Sequence, residues 1–368
     1  MSFEELIEKK KEIQNALLDY LEDESEAEMK YEIFVNNLEI EKIKEDRYKL
    51  ESLLRMVNAI SKNHHRNEYF NMKIDKILDH LRTDIQKYFT NPEIFDFFLL
   101  NKRALLFLIE EKILIIDEKI ASRFTYHHHV VHKFCEYFFP EVKQFLEDDF
   151  IEKYVQKTEV VDDVFYKKRR IGENDTYLSE IIRKDNVVEF IIYSNKECLP
   201  LQSYIKGSIF ETNGFLMDEF RKITLIGYAA FCGSIDIIKY LHMNGVDLQP
   251  NIWQFAIRSE NAELFRYLEE NHVLPPENDF EKILKKSIKC HHNQFANYII
   301  ENLIQEKNDK YYRDIYQSSF KYRNYCFFPE NIKHKNLFFD LCRFNYYTLV
   351  KLFFKQDNFD INAKIILN

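Results

Sequence analysis

A block of sequence that recurs at one short interval constrains this chain more than any single residue in it. Ala229 recurs as Ala256, Tyr240 as Tyr267, Leu241 as Leu268, Asn244 as Asn271 and Val246 as Val273, each 27 residues further on. The matches fall mostly at apolar or turn positions, which argues for repeated units that cannot bury an apolar face alone and gain stability by stacking. Further copies are read around "SIKCHHNQFANYIIEN", where Ser287 takes the alanine position and Ile299 the leucine position, around residues 341–355, and in "TYLSEIIRKDNVVEFIIYSN", residues 176–195. Each reads as a short helix, a turn and a longer apolar helix.

The chemistry of "TLIGYAAFCGSIDIIKYLHMNG", residues 224–245, accounts for that pattern. Thr224 is placed to cap the first helix, and Ala229 and Ala230 keep its inner face thin. Gly233 permits the turn, and Ile237, Ile238 and Leu241 supply the apolar face of the second helix. Asn244 and Gly245 then end that helix with a left-handed cap.

The rest of the chain is helical in composition. Neither glycine nor proline occurs in the first 91 residues, and apolar residues recur at helical spacing, as in Leu50, Leu53, Leu54, Val57 and Ile60. The expected class is all-α: a helical N-terminal region over 1–90, a degenerate segment of helical pairs over 91–150, a connection over 151–175, and a repeat array over 176–368. Apolar residues are 46% of the chain, yet no run approaches the roughly 18 consecutive apolar residues of a membrane helix, so no membrane span is expected. The charged N-terminus lacks the apolar core of a secretory signal, and six dispersed cysteines without a C-x-x-C pair suit reduced thiols, so an intracellular, cytoplasmic location is expected. A net charge of -9 opposes nucleic-acid binding. The compact basic cluster Lys167, Lys168, Arg169 and Arg170, in what reads as an exposed connection, offers a route to the nucleus.

The unit at 224–248 resembles the ankyrin repeat at Thr224, Ile226, Ala229, Ala230, Gly233, Leu241, Gly245 and Asp247. It departs from that repeat at Leu225, where proline is usual, and at Gly227, where the repeat's histidine bridges to its neighbour. The resemblance implies an ankyrin-like α-solenoid whose stacking relies more on apolar contact. The wider layout is similar to the large protist families of degenerate ankyrin proteins that carry a helical N-terminal region of unknown function. An interval of 27 residues, against the usual 33, leaves only "VDLQPNI" between units, too short for a hairpin finger.

No phosphate-cradling loop, dinucleotide fingerprint, zinc-protease motif or nucleophile elbow is present, so no catalytic residue and no cofactor are assigned. At helical spacing His128, His132 and Cys135 share one face and are a zinc-type ligand set, but Val131, Phe134 and Phe138 mark that side as core. His64 and His65, and the "KCHHN" stretch at 289–293, read as breaks between helices. The function expected is a protein-protein interaction scaffold or adaptor, with Trp253 and Tyr267 as partner-binding aromatics; its partner and oligomeric state are not legible. The alternative is a metal-binding or catalytic N-terminal region that the repeats target.

Overall fold

The computed structural model describes residues 2–23, 25–67, 69–125, 132–146, 161–217, 222–330 and 337–354. Every named element among them is a helix, and the only pairing of extended backbone among them is one bridge between Tyr204 and Thr224. The all-α class is therefore what this chain adopts.

Pairs of antiparallel helices recur along the chain, joined by turns of one design. They are Asn91–Phe97 with Lys102–Glu110, Tyr177–Arg183 with Val187–Lys196, Leu225–Cys232 with Ile235–Met243, Trp253–Ala256 with Ala262–Glu270, Phe280–Cys290 with Asn293–Asn302, and Leu337–Arg343 with Tyr347–Phe353. In each turn one residue takes a left-handed conformation: Leu100 (φ 65°), Asp185 (48°), Gly233 (76°), Glu260 (53°), His291 (62°) and Asn345 (57°). Only one of these is the glycine that this region favours. The bonds that close the turns match. Asn186 donates its N–H to Ile181 O (3.2 Å), Ser234 to Ala229 O (2.9 Å), His292 to Ser287 O (3.1 Å) and Tyr346 to Leu341 O (2.9 Å). The longer helices end in a second left-handed residue, at Lys112, Cys198, Gly245 and His272. Each satisfies an otherwise orphaned carbonyl of its helix by the same six-residue closure, as in Val246 N–H to Leu241 O and Val273 N–H to Leu268 O.

Within the signature unit Thr224 Oγ1 accepts from Gly227 N–H, and Ala229, Ala230, Ile237, Ile238 and Leu241 are wholly buried. The absence of a side chain at Gly227 has a packing cause. A Cβ there would lie 3.0 Å from Thr224 Oγ1 and 3.4 Å from the Phe255 ring, so the next unit's phenylalanine occupies the space a histidine would need. Stacking of neighbouring units is polar as well as apolar, because residues in the turns bond from one unit to the next. Ser234 Oγ donates to Ile182 O (2.6 Å), Asn261 Nδ2 donates to Gly233 O (2.8 Å), and both Asp185 carboxylate oxygens accept N–H groups at the start of the next unit, from Asp236 and Ile237 (3.0 Å each). Between the units at 225–243 and 253–270 the chain makes only a short 3-10 turn, Pro250–Ile252, with no hairpin finger.

The chain divides into two compact units that cut across the segments expected from chain order. One comprises 1–60, 66–88 and 284–368; the other comprises 61–65 and 89–283. The first joins the two ends of the sequence. Helix Phe3–Glu22, opened by a Ser2/Glu5 capping box, places Gln14 wholly in the interior. There Gln14 Nε2 donates to Asn324 Oδ1 (3.0 Å) and Gln14 Oε1 accepts from Tyr325 N–H (2.7 Å). Leu50, Leu54, Val57 and Ile60 form one buried stripe of helix Arg47–Asn63. In the second unit the stretch expected to connect, 151–175, contains a helix, Asp163–Ile171, capped by the Asp162 side chain and ended by Gly172. Its short length and three consecutive basic residues in the last turn hid its amphipathic pattern.

Candidate functional site

Trp253 is not at a surface. Its side chain is fully buried, its indole Nε1–H donates to Val273 O (2.8 Å), and its ring meets Phe265 and Phe280 edge to face at 5.3 and 5.7 Å. It belongs to the core and is corrected from a partner-binding to a packing residue. Tyr267 is half-buried, with its hydroxyl 2.7 Å from His242 Nδ1. The basic cluster is likewise not an exposed tetrad. Arg169 is buried and bidentate to Glu141 (2.8 and 2.7 Å), and its backbone carbonyl accepts from the Tyr137 hydroxyl. Lys168 pairs with Asp175 and Arg170 with Glu110. Of the zinc-type set, His128 and the side chain of His132 lie outside the described residues, and Cys135 is buried, with burial pushing its thiol up to about 12.

The surface feature that sets one helical pair apart is on Val187–Lys196. Counting from the left-handed turn residue, the position three residues on holds Asp236 and Glu263 in two of the units, and the position six on holds Lys239 and Arg266. These charges face out, and Lys239 pairs with Glu263 (2.7 Å). In Val187–Lys196 the same positions hold Val188 and Ile191, followed by Ile192. Val188 and Ile192 are each 64% exposed, and only Phe190 and Ser194 of this helix are buried. Beside them Tyr177, 53% exposed, stands with its ring 5.5 Å from Tyr193 and its hydroxyl bonded to Glu189. An apolar stripe thus replaces the charged row that keeps the neighbouring units solvated.

The second unit also gathers metal-ligand chemistry at the C-terminal end of helix Arg47–Asn63. His64, His65 and Glu260 each offer one ligand atom, all within 4.8 Å of one another. His65 Nδ1 pairs with Glu260 Oε2 at 2.8 Å, and the two imidazoles lie 4.7 Å apart. Two imidazoles and a carboxylate are a set that borderline divalent metals accept. The histidine pair was visible in the sequence only as a helix break. Glu260 could not be found there, because it occupies the position of Gly233 in the next unit and comes to the histidines only through the fold.

The first unit holds a polar cluster around Lys10. Its ammonium donates to Ser52 Oγ (3.0 Å), which lies 3.1 Å from the Tyr325 hydroxyl. A cavity of about 200 Å³ is lined by Lys10 and by Lys9, Lys49 and Lys351, with Tyr48 and Tyr347 stacked at 3.7 Å between ring centres. No signal at sequence level joins residues 10, 52 and 325, which helix packing alone brings together. No helix among the described residues is long and apolar enough to cross a membrane.

No protein-family model, curated protein or solved structure matches this chain.

Proposed function

We propose that the chain is an intracellular protein-interaction scaffold of degenerate ankyrin type, with no catalytic activity of its own, and that it takes its partner on the outer face of helix Val187–Lys196. One observation carries the reading. Val188 and Ile191 stand where the units at 225–243 and 253–270 keep charge, Ile192 extends their apolar row, and exposed apolar stripes flanked by polar residues mark protein contact sites. The turn-by-turn stacking of the units supports the rest, since such arrays present rigid side chains on fixed helices rather than on loops. The partner surface complementary to this stripe is itself apolar, with Tyr177 positioned as an aromatic anchor at its edge.

The reading is tested by the double variant Val188→Asp, Ile192→Asp. Its melting temperature should match or exceed that of the parent, because neither side chain is buried, while recovery of the partner from native cells should fall at least about tenfold. Undiminished recovery contradicts the proposed face.

A second reading has its own observation, the His64, His65 and Glu260 cluster. If the cluster holds a divalent metal, purified protein carries one equivalent by elemental analysis. Substituting His65→Gln and Glu260→Gln should then remove that metal and leave the helical circular dichroism intact.

A further inference from the structure

The cavity beside Lys10 is richer in cations than its carboxylates can balance. Glu41 and Asp46 are the carboxylates in its lining, and both are already engaged. Glu41 pairs with Lys9, and Asp46 Oδ1 accepts the backbone N–H groups of Tyr48 (2.8 Å) and Lys49 (3.1 Å) at the start of helix Arg47–Asn63. Lys49 Nζ donates to the Glu41 backbone carbonyl (2.6 Å), which brings no charge. Lys10 has a hydroxyl partner, Ser52, and among the described residues no carboxylate within ion-pair distance. The titratable groups facing it are Tyr325, Arg323, Lys49 and Glu41. Burial, with repulsion from Arg323 and Lys49, holds its ammonium below the ordinary lysine range. Tyr325 is held below the usual phenol range: burial opposes this, and the nearby Lys10 and Arg323 outweigh it. Lys10 is half-buried; a partly desolvated cation without a paired carboxylate is costly, and an anion in the adjoining space removes that cost.

We propose that this cavity binds the phosphate group of a small, soluble phosphate monoester, with Lys10, Lys49 and Lys351 as its cationic contacts. Lysine serves as a point-charge partner for phosphate, and three ammonium groups converging from separate stretches of the chain suit a dianion. About 200 Å³ is less than the space a drug-sized ligand fills, so the ester group is small, and the stacked rings of Tyr48 and Tyr347 give it an apolar wall. The proposal goes beyond the scaffold reading and involves a different compact unit, so either can fail without the other.

Isothermal titration of the full chain with phenyl phosphate at low salt tests it. Wild type should bind one equivalent, saturable in the millimolar range or tighter. Lys10→Met should weaken binding about tenfold or more, the loss of a charge-assisted bond in a poorly solvated site, while its melting temperature without ligand is maintained or raised. Lys351→Met, at an exposed position of the lining, should weaken it roughly threefold and serves as the readout should Lys10→Met fold poorly. Absence of a saturable heat in wild type, or equal affinity in the variants, overturns the proposal. Co-sedimentation with phosphatidic acid vesicles separates the sources of the phosphate: protein that sediments with the lipid yet ignores phenyl phosphate overturns the soluble-ester assignment.

Discussion

Trp253 shows how one residue can be misjudged from sequence and corrected by its surroundings. It is the chain's only tryptophan, and exposed tryptophan is common at binding hot spots, but here its N–H finds a backbone carbonyl and its ring two aromatic edges. Trp253→Ala should therefore cost about 3–5 kcal/mol in urea unfolding, with Trp253→Phe losing less than half of that. Partner recovery should track the fraction folded and nothing else. The cysteines give a second check at this scale. Cys135 and Cys290 are buried, with the Cys135 thiol held up to about 12, whereas Cys198 and Cys342 are exposed. In the native protein at pH 8 an alkylating reagent should label Cys198 and Cys342 within minutes and leave Cys135 and Cys290 until the chain is unfolded. Fast labelling of Cys135 contradicts its placement. The turn residues mark where sequence reading stopped. Gly233 announced a left-handed turn, but Leu100, Asp185, Glu260, His291 and Asn345 adopt the same conformation without glycine, and six-residue closures span those at Asp185, His291 and Asn345. With the turns disguised, Glu260 could not be recognised as a neighbour of His64 and His65.

At the scale of the helix, periodicity was a sound guide and function was not. The 27-residue interval is carried into the structure by the paired left-handed turns at Gly233 and Glu260 and by those at Gly245 and His272. The stacking bonds made by Ser234, Asn261 and Asp185 were not legible, because polar residues at helix starts satisfy their own helix as readily as a neighbouring unit. Asn261 performs both tasks. Its Oδ1 accepts from Leu264 N–H and its Nδ2 donates to Gly233 O. Asn261→Ala should cost about 1–2 kcal/mol, and Asn261→Asp, which keeps the cap and drops the bridge to the preceding unit, should fall between it and wild type. Equal stability of Asp and wild type by thermal melting would show that the bridge adds nothing. Val188 carries no signal in the sequence, because a valine in an apolar helix is ordinary until the fold aligns it with Asp236 and Glu263.

At the scale of the whole chain, the compact units do not follow sequence order. Segments 1–60 and 284–368 belong to one unit, joined through Gln14 to Asn324 and Tyr325. Local spacing carries no information about such a contact, since the two sides are separated by most of the chain. Removing residues 1–22 should uncover the turn Tyr325–Phe327 and helix Tyr347–Phe353, against which helix Phe3–Glu22 packs, so hydrogen exchange there should rise by at least about a hundredfold while Leu225–Cys232 keeps its protection. The central functional claim is that one face, that of Val187–Lys196, carries the partner. The most direct measurement places a photo-crosslinking amino acid at Val188 in one sample and at its equivalent Asp236 in another, irradiates both in native cells, and identifies the adducts. A single defined protein captured from position 188 and not from 236 is the predicted result; the same protein captured equally from both, or none from 188, contradicts it.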